Sequence, residues 1–146
     1  MKLQDQLVSL ELSKELKECG YKQEGLWLWV ENSKDGTIRL WFQEAAEIEF
    51  NSYKNASFSK WKKQNTTMFD TCRVYSAPTA TELGERLPFA YDKDDRQLVL
   101  GHKYESLWTV GYEHLHEGVI FIEFEDKIEA NARAKMYIYL SKEGLI

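Results

Sequence analysis

Apolar residues recur at three- and four-residue steps near both ends of this chain and at two-residue steps between them. That change of period most constrains what the chain can fold into. A step near 3.6 marks a helix with one buried face, and a step of 2 marks a strand. Leu12, Leu16 and Cys19 stack along one face of a helix predicted from Ser9 to Cys19, and Gly20 suits its left-handed closing position. Ile128, Ala132, Met136 and Leu140 step by four along a second helix predicted from Asp126 to Gly144, widened by Ala134 and Ile138. Asp126 and Glu129 supply its expected N-terminal cap. A short central helix is marked by Thr79 and Glu82, which have the spacing of a capping box, and by Pro88, which stops it.

Strands fill the intervals. Leu26–Val30 and Thr37–Phe42 flank a loop ending in Asp35-Gly36, which favours positive backbone φ and predicts a hairpin. Leu26, Leu28 and Val30 share one face of the first strand, while Trp27 and Trp29 share the other. Glu47–Phe50, Cys72–Tyr75, Gln97–Leu100, Leu107–Tyr112 and Val119–Phe124 read as further strands, with Glu117-Gly118 turning the last pair. Residues 51–70 are polar and weakly periodic and read as an extended loop. The predicted architecture is a single α+β domain over residues 1–146. It has a mostly antiparallel sheet of about five to six strands packed with three helices: N-terminal, short central and C-terminal.

Charge and cysteine usage narrow the function. The net charge is −5, with the acidic excess in the second half. That balance argues against a dedicated nucleic-acid binder, which needs Lys and Arg to displace counterions from phosphates. No apolar run approaches the roughly 20 residues that span a bilayer, so no membrane partner is expected. The opening residues, Met1-Lys-Leu-Gln-Asp-Gln6, carry neither the basic region nor the apolar stretch of a signal peptide. The expectation is a cytoplasmic chain whose two cysteines, Cys19 and Cys72, are free thiols in the core.

No Gly-rich phosphate loop, Gly-x-Ser-x-Gly elbow, His-Glu-x-x-His helix or Cys-x-x-Cys pair occurs, so neither an enzyme nor a cofactor is expected. Three constellations remain. Lys54 to Lys63 holds four lysines and no acids, with Phe58 and Trp61 interleaved. Lys54, Phe58, Lys60, Trp61, Lys62 and Lys63 read as a lysine-coated loop pinned by two aromatics, as a protein-partner surface, or as a grip on single-stranded nucleic acid by phosphate contact and base stacking. His114 and His116 share one strand face, and His102 on a neighbouring strand would complete a three-histidine metal set; the plainer reading is solvated histidines near a hairpin end. Glu123 and Glu125 alternate on one face, as a solvated outer sheet surface does.

Three blocks carry a resemblance: Leu10 to Trp27, Ala77 to Pro88 and Ala130 to Ile146. Their layout resembles a group of small proteins of bacteriophages, prophages and gut-bacterial mobile elements, and it covers the three helices. The matched positions are caps and core residues, which specify fold, and no site residues carry over. The resemblance implies an accessory protein that binds a host protein, such as a defence or regulatory factor. The alternatives are a nucleic-acid or nucleoprotein binder using residues 54–63 and a small ligand- or metal-binding protein using the histidines.

Overall fold

The computed structural model describes residues 2–45, 72–91, 96–103, 106–114 and 116–146. The expected strand at Glu47–Phe50 and the loop at 51–70 lie outside the described residues. A 3-10 turn, Leu3–Gln6, precedes α1 (Leu10–Glu18). Strands β1 (Trp27–Asn32), β2 (Ile38–Phe42) and β3 (Cys72–Ser76) come next. Then follow α2 (Ala80–Gly84), β4 (Ala90–Tyr91), β5 (Arg96–Lys103), β6 (Leu107–His114), β7 (Ile120–Asp126) and α3 (Glu129–Lys142).

The fold is α+β and its strand pairings are antiparallel, but among the described residues the expected single sheet is two sheets. One has the order β2-β1-β3 and the other β4-β5-β6-β7. The reason lies in the connection. β3 pairs with the free side of β1, setting Val74 opposite Val30 and Tyr75 opposite Trp29. The chain then leaves the sheet at Ala77-Pro78, where the Pro78 carbonyl accepts the Val8 N–H at 3.0 Å. Proline has no N–H for a ladder, so the segment turns into α2 instead of extending a strand.

Local signals set the helix starts. The Ser9 hydroxyl accepts the Leu12 N–H at 3.4 Å to cap α1. Thr79 and Glu82 close the capping box both ways, at 3.2 Å and 2.8 Å. At α3 the expected cap is displaced: the helix starts at Glu129, and Ile128 is its cap residue without a side-chain bond. Asp126 lies two residues before Ile128 and accepts its N–H at 2.9 Å, tightening the approach instead of closing the helix. Glu129 instead pairs with Arg133 one turn on, at 2.6 Å.

α3 is the centre of the molecule. Ala130, Ala134 and Ile138 join Val8, Leu16, Tyr21 and Leu83 in a cluster shared with α1 and α2, and Cys19 packs against it. Ala132, Met136 and Leu140 face the larger sheet and meet Val110 and Tyr112. The apolar stripe is therefore two faces serving two clusters, and its alanines let both neighbours approach closely. Leu28, Val30 and Val74 form a third cluster on one face of the smaller sheet, with Trp41 and Cys72 packed against it. The opposite face turns to α1, where Trp29 Nε1 donates to the Val8 carbonyl at 2.8 Å. Both cysteines are free thiols. Among the described residues, no helix is long and apolar enough to cross a membrane.

Tyr21 shows what this packing costs a polar group. Its ring is buried, stands edge-on to Tyr137 at 5.1 Å and lies under the Arg86 guanidinium at 4.8 Å. The hydroxyl has no hydrogen-bond partner. Burial pushes this phenol up to about 12 against the opposing pull of Arg86.

Candidate protein-interaction site

The β6–β7 hairpin end gathers exposed apolar side chains and an arginine. His114 ends β6, and its carbonyl accepts the N–H groups of Glu117 at 3.3 Å and Gly118 at 3.0 Å. Gly118 has φ +61, a left-handed conformation that glycine adopts without a Cβ penalty, as the Glu117-Gly118 turn requires. The chain thereby reverses, and the His114 N–H donates to the Val119 carbonyl at 3.0 Å. β7 then begins with a register break: Tyr112 faces Ile122 but Glu113 faces Ile120, leaving Phe121 as an extra residue. Such a bulge re-aims a side chain at a sheet edge.

Val119, Ile120 and Phe121 are consecutive, and they are 58%, 52% and 56% exposed. A run of three exposed apolar residues is what a folding sequence avoids unless the surface has a use. Arg96 holds the third of them in place. It faces His114 across the β5–β6 register, and its guanidinium carbon lies 3.7 Å from the Phe121 ring centroid. The side chain therefore crosses β6 to stack on the bulged residue, a cation–π contact that desolvates one face of the ring. Gln97 and Glu113 are bonded at 3.0 Å on the same pair of strands.

Two of the three candidate histidines lie here. The rings of His114 and His116 are 6.1 Å apart, and His114 Nδ1 is buried without a hydrogen-bond partner. His102 lies on β5 opposite Trp108, at the other end of the β5–β6 pairing from His114, which is opposite Arg96. At about 3.3 Å per residue, that separates the two by on the order of 20 Å. The three histidines do not converge. Among the described residues, no group of three or more His, Cys, Asp or Glu is placed to hold a metal ion. Lys54, Phe58, Lys60, Trp61, Lys62 and Lys63 all lie outside the described residues.

Sequence reasoning read Val119–Phe124 as a strand and passed over Arg96. The signal was present in Val119-Ile-Phe-Ile122. An antiparallel strand with one covered face alternates, so an unbroken apolar run must expose some members. Comparison with protein families, curated proteins and solved structures found no match for the chain.

Proposed function

We propose that this chain is a non-enzymatic accessory protein that binds a protein partner through the end of the β6–β7 hairpin. The observation that carries the reading is the run Val119-Ile120-Phe121, each more than half exposed, with Phe121 fixed under Arg96. A rigid aromatic beside an arginine is the kind of anchor that dominates binding energy at protein interfaces. The choice of a protein partner follows from shape. A hairpin end is convex and inserts into a groove of its partner, whereas small ligands are held in concave sites. The resemblance to proteins of phages and mobile elements points to a host protein, such as a defence or regulatory factor.

The test compares the wild type with Phe121→Ala and Ile120→Asp as baits in lysate of the native host, after confirming that all three melt alike. A protein captured at near-stoichiometric yield by the wild type and lost with both variants supports the reading. Equal capture by all three, turnover of a substrate, or a concentration-dependent dimer broken by the same variants overturns it. The dimer result would assign the patch to self-association.

A further inference from the structure

A second surface, on the other sheet, carries charge of the opposite sign to the chain as a whole. Lys14, Lys17 and Glu18 of α1 and Arg73 and Tyr75 of β3 line a groove of about 410 Å³. The net charge of the chain is −5, yet the described residues of this lining hold three cations and one carboxylate. Both lysines converge on one ring: the ammonium of Lys17 is 5.1 Å and that of Lys14 is 5.5 Å from the Tyr75 centroid. Tyr75 is only 8% exposed, so the ring is a fixed floor.

The lysines are held by defined partners and do not wave in solvent. Lys14 Nζ lies 2.8 Å from Glu31 Oε1, and the hydrogen bond it donates to that carboxylate leads the effects that raise the Lys14 ammonium above its ordinary value. Its three N–H donors exceed what Glu31 takes. Lys17 Nζ donates to the Val74 carbonyl at 2.8 Å. Arg73 completes the rim. It faces Glu31 across the β1–β3 register, but Glu31 is engaged by Lys14. Arg73 itself is exposed and makes no ion pair or hydrogen bond with any described residue. A planar guanidinium with a full set of donors, beside two positioned ammonium groups, matches a tetrahedral oxyanion better than a lone carboxylate.

We infer that the groove between α1 and β3 binds a phosphate monoester, with Arg73 as the bidentate contact and Lys14 and Lys17 supplying charge from the floor. The chemistry is shared by small phosphorylated metabolites and phosphorylated side chains of proteins. The inference does not depend on the hairpin surface, and Phe121→Ala leaves it untouched.

The experiment titrates the full chain with inorganic phosphate, phosphoserine, a phosphoserine peptide and the same peptide with glutamate at that position. Amide shifts are followed by two-dimensional NMR at constant ionic strength. Saturable shifts confined to residues of α1 and β3 are expected for the phosphorylated probes, and Arg73→Ala should weaken them at least about tenfold. Arg73 has no partner among the described residues, so that variant should melt like the wild type. Tighter binding of the phosphopeptide than of phosphoserine assigns a protein source, and equal binding assigns a small-molecule source. Linear shifts that never saturate, shifts unchanged in Arg73→Ala, or equal binding of the glutamate peptide overturn the inference.

Discussion

Replacing Asn131 with alanine should cost more than its single side chain suggests. Asn131 is 7% exposed and stitches the start of α3 to the start of α1. Its Oδ1 accepts the Ser9 N–H at 2.9 Å, and its Nδ2 donates to Asp126 Oδ1 at 3.2 Å. Ser9 is in turn the cap of α1. Asn131→Ala strands the Ser9 N–H, worth about 1–3 kcal/mol when a buried donor loses its partner. Asp126 keeps the Ile128 N–H and Lys135, so its lost bond adds only about 0.5–1.5 kcal/mol. The expected total is about 2–4 kcal/mol, against a usual stability of about 5–15 kcal/mol for a domain. At about 2–4 °C per kcal/mol, Tm should fall by about 5–15 °C. The assay is calorimetry with a matched urea titration in which the slope m stays constant. Asn131→Asp keeps an acceptor for Ser9 but sets a second carboxylate against Asp126, so its deficit should shrink as pH is lowered and one acid protonates. A Tm within about 2 °C of the wild type for Asn131→Ala would show that water replaces the amide, and the joint described here would carry no weight.

Two further outcomes follow from the packing. Tyr21 titrates at about 12 in the folded chain against an ordinary 10.0. Its contribution to stability is therefore fully present below pH 10 and lost as pH rises towards 12; Tyr21→Phe should remove that alkaline loss in melts taken from neutral pH upward, and an unchanged alkaline profile would refute the assignment. Gly111, in the middle of β6, has no room for a methyl group, because a Cβ there would sit 2.8 Å from the Ile122 carbonyl oxygen of β7. Gly111→Ala should force the strands apart at about 1–3 kcal/mol, lowering Tm, and a melt identical to the wild type would show that the ladder has slack.

How much of this was legible before folding depended on range. The caps of α1 and α2, the Glu117-Gly118 turn and the predicted helices α1, α2 and α3 are interactions among residues a few positions apart, and the sequence displays them directly. The cap of α3 was misplaced because Asp126 has three partners to choose from, and one of them, Lys135, lies nine residues on. The candidate site was legible only in half. His114, His116 and the turn were visible, but Arg96 reaches Phe121 by crossing a neighbouring strand, a contact that periodicity within one segment does not encode.

Among the described residues, the sequence by itself determined the class of the predicted helices and strands, because period, caps and glycine positions act through local backbone geometry. It also displayed the apolar stripe of α3, widened by Ala134 and Ile138. Only the tertiary structure decided that the strands divide into two sheets. A strand edge accepts any antiparallel partner of suitable length, and the choice rests on where the intervening chain can close. The same closure placed Arg73 of β3 beside Lys14 and Lys17 of α1, and so formed the groove.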